Sequence, residues 1–354
     1  MKKVMVVGAS GRLGKLICEQ VLRIFDKTAQ LVITDYNEMR GKQLQKSFKN
    51  KVEFKLLNIN DHQTVEKVID NIDVVIIAIQ QKEPHIQKVC INREILCVDV
   101  TTSPNLVDQI LLLNEQAKAH RVPSIVMAGF LPGLSGLLAK KAITSFDKIE
   151  YIHISLIQSS NANVGITGAL DMLQLISMPV IYDGETIHGF KEKKTIDILN
   201  NKHTVRLIHH PEYNYISPKL AVPDIQYWTS WNDPIFNLKV LFILKANILP
   251  LLNKYPSIFS KLIKHDPSQH EEVSLIIEAK GMHINKPVTR TLRLSAFSDY
   301  GITAMVTAAL AKVLLFNKIN GGIYFPFEVT TFEEIMKMID CEKVRLEELE
   351  YDEK

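Results

Sequence analysis

The sequence has few cysteines, almost no net charge and no long uncharged apolar run. Its four cysteines, Cys18, Cys90, Cys97 and Cys341, stand singly in apolar stretches with no C-x-x-C pair in 354 residues. That spacing supports neither a disulfide framework nor a metal site, so reduced, buried thiols are expected. Lys and Arg number 42 against 39 Asp and Glu, a formal net charge of +3. No global field draws nucleic acid, and no nucleic-acid partner is expected. The first residues, MKKVMVVGAS, set two lysines before an apolar stretch that glycine interrupts after a few residues, short of the roughly 7–15 residues of a signal h-region. This reads as a first strand, and the protein as cytoplasmic. The longest apolar segment, from Pro234 to Asn253, carries Lys239 and Lys245 and has Pro250 near its end. A bilayer span takes about 20 nearly uncharged residues, so no membrane span is expected. The segment reads instead as an amphipathic helix that docks on a partner or a neighbouring domain.

The composition is 46% hydrophobic and 23% charged, enough to bury a packed core in two ordinary domains. The first third alternates regularly. KVMVVG, AQLVITD, KVEFKLLNIND, NIDVVIIAIQ, LCVDVTT and PSIVMAG read as strands, and helical segments such as GKLICEQVLRIF stand between them. Such alternation predicts right-handed crossovers and a parallel sheet covered on both faces, the doubly wound Rossmann pattern of the α/β class.

In that pattern ligands sit beyond the carboxyl ends of the strands. The first such place is VVGASGRLG, with glycines at 8, 11 and 14 between a strand and a helix. Gly8 permits the sharp turn, Gly11 lets the backbone approach a pyrophosphate, and Gly14 allows close helix packing. The amides of Ser10, Gly11, Arg12 and Leu13 then meet phosphate at the positive end of the helix. Asp35 ends the second strand about 20 residues later, where a carboxylate accepts hydrogen bonds from ribose hydroxyls. It reads alternatively as a cap for the next helix. A carboxylate there repels a 2'-phosphate, which favours NAD over NADP, while nearby Arg40 leaves NADP open. Ala78, Ile79 and Gln80 after the fourth strand, Thr101 after the fifth, and Gly129 and Phe130 after the sixth complete the expected cofactor contacts.

Three stretches carry a family resemblance. KVCINREILCVDVTTSPNLV, VMAGFLPGLSGLLA and DYGITAMVTAALAKVLL stand in the order seen in the saccharopine dehydrogenase-like family. The chain resembles that family well over about the first 140 residues and moderately after about Phe297. The spacing G-x-x-G-x-x-G fits it as well. The resemblance implies a Rossmann domain paired with a mixed substrate domain. It also implies a nicotinamide-dependent oxidoreductase acting at a carbon–nitrogen bond of an amino-acid or polyamine derivative, with Gly129 to Gly133 close to the nicotinamide. One departure stands after the fourth strand, where AIQQKEP puts Gln80 and Gln81 at the place where substrate and nicotinamide should meet.

From Ile149 the texture changes to alternating strands such as IEYIHISLIQ and KPVTRTLRLSAF, which predict a mostly antiparallel, half-buried sheet in an α+β domain. The expected domains are 1–129, completed by a returning segment of about 298–340, and 130–297. Helices are expected around Leu238 to Ile263. The second domain is expected to bind the substrate and to form a homodimer. The helix of DYGITAMVTAALAKVLL, rich in small residues, is expected to return against the first domain. CEKVRLEELEYDEK reads as a solvated, frayed tail.

Hydride transfer needs a water-poor pocket and usually a group that takes or returns a proton, and a cleft between the domains is where these are expected to converge. Asp99 and His153 are the candidate catalytic groups. Asp99 reads equally as a local cap, and His153 as a hydrogen-bonded residue on a strand. Gln81, Arg206, Arg290 and Arg293 are the candidate substrate contacts, the arginines because they hold carboxylates in a bidentate way. The function expected is NAD(P)-dependent oxidation or reduction at a C–N bond. The alternative is a nucleotide-binding, redox-sensing or regulatory protein of the same fold without turnover. Convergent arginines beside Gly129 would favour the enzyme.

Overall fold

A computed structural model describes residues 1–162, 166–198, 201–255, 265–266, 268–340 and 342–352. The chain divides into two units, Met1–Leu137 with Tyr300–Cys341, and Leu138–Asp299 with Glu342–Lys354. The boundary falls eight residues beyond the 129 read from the sequence. Backbone bonds such as Leu134 N to Gly129 O at 2.9 Å and Leu137 N to Gly133 O at 3.3 Å hold the start of a helix to the loop before it. That continuity carries the first unit past the loop.

In the first unit, β1 (Lys2–Val7), β2 (Ala29–Asp35), β3 (Glu53–Leu56), β4 (Val74–Ile77), β5 (Leu96–Asp99), β6 (Pro123–Ile125) and β15 (Gly322–Tyr324) form a seven-stranded sheet in the order β15-β6-β5-β4-β1-β2-β3. Every pairing is parallel. β1 has β2 on one side and β4 on the other, so the strand order reverses there and opens a crevice at the strand ends. The helices of this unit are α1 (Arg12–Phe25), α2 (Glu38–Ser47), α3 (His62–Val68), α4 (His85–Asn92), α5 (Pro104–Leu111) and α6 (Asn114–Ala119). α1 buries Gly14, Ile17, Cys18, Val21, Ile24 and Phe25, a stripe at helical spacing against the sheet. Met5, Val7, Val32, Val75 and Ile77 form the core on one face with Val65, Ile69, Ile86 and Cys90. Cys18, Cys90 and Cys97 are free and buried. Cys341 lies outside the described residues.

α7 (Leu134–Ile143) leads into the second unit. There β10 (Lys193–Ile198), β11 (Asn201–Ile208), β12 (Ile225–Trp231), β7 (Lys148–Gln158), β13 (Val273–His283), β14 (Lys286–Ala296) and β16 (Val344–Asp352) form a second seven-stranded sheet in that order. β7 and β12 run parallel and the other pairings are antiparallel. The hairpin β8 (Pro179–Tyr182) and β9 (Glu185–His188) packs Val180, Tyr182 and Ile187 against Ile157, Ile196, Val205, Leu207 and Trp228. The helices among the described residues of this unit include α8 (Ile166–Ser177), α9 (Tyr213–Leu220), α10 (Pro234–Lys245) and α11 (Leu249–Lys254). The expected helical stretch around Leu238 to Ile263 is described up to residue 255. The sequence after Cys341 is no frayed tail: residues 344–352 pair antiparallel with β14 over nine positions. The charges that suggested solvation are spent on the ladder, where Arg293 meets Glu347 at 3.4 Å and Arg290 meets Glu348 at 3.8 Å.

α12 (Asp299–Phe316) is the one helix among the described residues long and apolar enough to cross a membrane, yet Ile302, Ala304, Met305 and the run Val306–Ala311 are buried. Thr307 Oγ1 donates to Ala128 O at 2.6 Å, so this helix lies along the loop that follows β6. α13 (Pro326–Val329) and α14 (Phe332–Met336) close the first unit.

Candidate functional site

The glycine turn follows from the steric demands of its three positions. Gly8 has φ +84°, a left-handed conformation that L side chains rarely adopt, and a Cβ there would stand 2.1 Å from Ile79 Cγ2. A Cβ on Gly14 would lie 2.1 Å from the Gly8 carbonyl oxygen, which is how α1 comes down onto the turn. Gly11 caps α1 without any side-chain hydrogen bond, while its own N–H donates to Gly8 O at 3.0 Å. The first turn of α1 therefore keeps backbone donors for a ligand. An anion at such a helix start gains about 0.3–1 kcal/mol, more where partly buried. Ser10 Oγ, in the same turn, is buried with no hydrogen-bond partner among the described residues. A pyrophosphate fits here: Gly8 and Gly11 line an open cavity, the first turn of α1 has no side-chain cap, and the buried Ser10 hydroxyl has no partner among the described residues. Arg12 sits with its guanidinium 5.6 Å from the centre of the Tyr300 ring, and Leu13 follows it at the start of the helix.

A cavity of 480 Å³ runs from this turn along the strand ends. It is lined by Gly8, Gly11, Asp35, Tyr36, Arg40, Asn58, Asn60, Ala78 and Ile79 among others. Asp35 is 5% exposed. Its carboxylate accepts from the Asn37 N–H at 2.6 Å and from one Arg40 nitrogen at 2.8 and 3.1 Å. Asn37, not Asp35, caps α2, accepting from the Arg40 N–H at 3.1 Å. The Arg40 guanidinium also lies 4.8 Å from the centre of the Tyr36 ring, and the Asp35 carboxylate raises its pKa through the hydrogen bond and the charge. An acidic residue that the sequence offers as a repeller of 2'-phosphate is thus paired with a cation in the same cavity.

At the ends of β4 and β5 the polar residues bind one another. Gln80 is exposed. Gln81 Nε2 reaches Gln87 Oε1 at 3.3 Å and Asp99 Oδ2 at 3.4 Å, Gln87 Nε2 donates to Asp99 Oδ2 at 2.5 Å, and the Thr101 N–H donates to Asp99 Oδ1 at 2.7 Å. Asp99 is 1% exposed, and burial pushes its carboxyl up to about 7, against the lowering by the Thr101 and Gln87 hydrogen bonds. So enclosed, Asp99 holds the Thr101 segment. Gln87 escaped the sequence reading because it lies inside an ordinary apolar helix. Only the pairing of β4 with β5 brings it under Asp99.

The segment after β6 is fixed by backbone bonds. Gly129 N donates to Pro132 O at 3.1 Å, Ala128 N to Asp99 O at 3.0 Å, and Ser135 N to Phe130 O at 3.0 Å. Gly133 has φ +123°, and a Cβ there would meet Gly129 O at 2.5 Å. Phe130 is buried.

The second-unit candidates have partners of their own. His153 Nδ1 lies 3.1 Å from Glu278 Oε1 and 2.8 Å from Lys194 Nζ. The hydrogen bond from His153, first among several causes, holds the Glu278 carboxyl down, and burial lowers Lys194. Arg206 donates to the carbonyls of Phe190 and Lys191 at 3.2 and 3.0 Å. Arg290 donates to Ala142 O at 3.1 Å, and Arg293 Nη2 reaches Ser274 Oγ at 3.4 Å. Three positions apart on β14, Arg290 and Arg293 point to opposite faces. The convergent arginine set expected from the sequence is not assembled within this unit, because each arginine is spent on its own sheet.

The fold and the glycine cradle define a dehydrogenase-type α/β protein whose first unit binds a nicotinamide dinucleotide. Residues 4–125 match the family described as saccharopine dehydrogenase NADP binding domain. Among solved structures, the chain is similar to apo saccharopine dehydrogenase (L-Glu forming) from Saccharomyces cerevisiae, with TM-score 0.73 and 13% identity over 99% of this chain and 100% of that one. It is also similar to C. glutamicum DAP dehydrogenase in complex with DAP, with TM-score 0.51 and 13% identity over 96% and 97%. An engineered D-amino acid dehydrogenase bound to NADP+ gives TM-score 0.51 and 13% identity over 93% and 94%. At these identities the likeness is one of fold. The comparison with curated proteins gave no match.

Proposed function

We propose that this chain is an NADP(H)-dependent oxidoreductase acting at the C–N bond of an amino-acid or polyamine derivative. The observation that carries the reading is the cradle: a left-handed Gly8, an uncapped α1 and a partnerless buried Ser10 hydroxyl, opening on the cavity of Asp35 and Arg40. The amides of Ser10 to Leu13 hold the pyrophosphate. Asp35 meets the adenosine ribose, and Arg40, half-exposed over Tyr36, meets a 2'-phosphate. Ala78, Ile79, Gln80, Thr101, Gly129 and Phe130 frame the nicotinamide end, and the bound cofactor supplies the hydride chemistry there. The family description and the NADP+ of the engineered D-amino acid dehydrogenase support NADP over the NAD that the sequence favoured.

A second reading has its own support. Among the described residues, Asp99 is buried and Arg206, Arg290 and Arg293 are engaged within their own unit, as in a nucleotide-binding regulator without turnover. The test is thermal unfolding with NAD+, NADH, NADP+ and NADPH, followed by nicotinamide absorbance with amino acids and keto acids. NADP(H) should raise the melting temperature most, and Arg40→Ala should weaken NADP+ binding at least about tenfold relative to NAD+. Stabilisation by none of the four overturns the nucleotide site. Stabilisation without turnover on any substrate favours the regulator.

A further inference from the structure

The longest apolar segment has an exposed side. On α10, Ile235, Leu238 and Phe242 are 64%, 65% and 66% exposed, and Leu251 on α11 is 52% exposed. Spacings of three and four residues put the α10 side chains on one helix face. These residues rim an apolar cavity of 590 Å³ whose walls include Met172, Leu173, Phe236, Ile243 and Leu252. Apolar side chains this exposed cost free energy in water unless something covers them.

The sequence around them says what kind of surface does so. From Pro234 to Lys264 there are five lysines, at 239, 245, 254, 261 and 264, and no Asp or Glu. Lys239, Lys245 and Lys254 are exposed, and the first two border the apolar stripe of α10 on either side. A stripe of Leu, Ile and Phe flanked only by lysines is the pattern of a helix that lies in the plane of an anionic bilayer. Its apolar residues enter the acyl boundary and its ammonium groups meet the headgroups.

We propose that the second unit docks on an anionic lipid bilayer through α10 and α11, with Ile235, Leu238, Phe242 and Leu251 inserted and the cavity behind them open to an acyl chain. The charge favours a bilayer over a second copy of this chain, since two such faces would bring lysines against lysines. The docking is peripheral and calls for no membrane span.

The full chain tests this by cosedimentation with phosphatidylcholine vesicles, with and without phosphatidylglycerol. Binding is expected to the mixed vesicles only, weakening with salt and falling about fivefold for each lysine exchanged for glutamine at 239 and 245. The double variant Leu238→Asp, Phe242→Asp should abolish it. Those side chains are mostly exposed, so the far-ultraviolet circular dichroism and melting temperature should hold and separate lost binding from lost fold. Equal binding by this double variant, or no binding of the wild-type chain to the mixed vesicles, overturns the proposal. So does a dimer in solution that the double variant makes monomeric, which would assign the face to a second copy.

Discussion

At Asp99, burial and hydrogen bonding pull in opposite directions. Two hydrogen bonds at 2.5 and 2.7 Å favour the carboxylate, each worth about 1.5–3 kcal/mol to a charged acceptor. Enclosure to 1% exposure disfavours it more, and the carboxyl is pushed up to about 7. An unfolded aspartate titrates near about 3.9. Below that pH the group is protonated in both states, and its contribution to stability is fully present. As pH rises toward 7 the unfolded chain ionises while the folded one keeps its proton, so that stability is lost progressively. A shift of about three units corresponds to about 4 kcal/mol. Asp99→Asn should therefore flatten the pH dependence of unfolding free energy between about pH 4 and pH 7 by that order. Parallel wild-type and variant curves would refute the assignment. Asp99 thus brackets Gln87 and Thr101 within the fold.

At the scale of elements, β16 carries the sharpest departure from the sequence reading. Val344 is buried, Leu346 is half-buried, and Arg293 and Glu347 pair with side chains 19% and 18% exposed. Removing residues 342–354 should lower the unfolding free energy by several kcal/mol, on the order of 3 from lost ladder bonds and apolar cover. It should also bare the edge of β14 to self-association. A frayed tail would leave the melting temperature unchanged, so calorimetry of the truncated chain decides. The alternating Val344, Leu346 and charge pattern was visible in the sequence. Its meaning was not, because a stretch with charges at Arg345, Glu347, Glu348 and Glu350 reads as solvent-facing until its neighbour is known. The six strands of the first third, by contrast, were legible: their apolar runs between glycines and caps are local signals.

For the whole molecule, the chain crosses between its units after residues 137, 299 and 341. A nucleotide held at the cradle should therefore protect two distant stretches of sequence together. Binding at a hundred times Kd adds about 2.7 kcal/mol to the state that binds. With NADP+, amide hydrogen exchange should slow in residues 1–137 and also in 300–340, whose helix is tied to Ala128 by Thr307, and less in 138–299. Protection confined to 1–137 would mean that the returning helix is no part of the nucleotide unit.

The sequence by itself determined the doubly wound first unit, the glycine turn and the change of texture near residue 149. Strand and helix periods, and the steric freedom of glycine, act over a few neighbouring residues. Only the tertiary structure decided that Arg40 neutralises Asp35, that Gln87 meets Asp99, and that Arg206, Arg290 and Arg293 serve their own sheet. It also decided that the apolar side of α10 is exposed among the described residues. Each depends on which strands and helices become neighbours, and charge pairing and burial are set by those neighbours rather than by position along the chain.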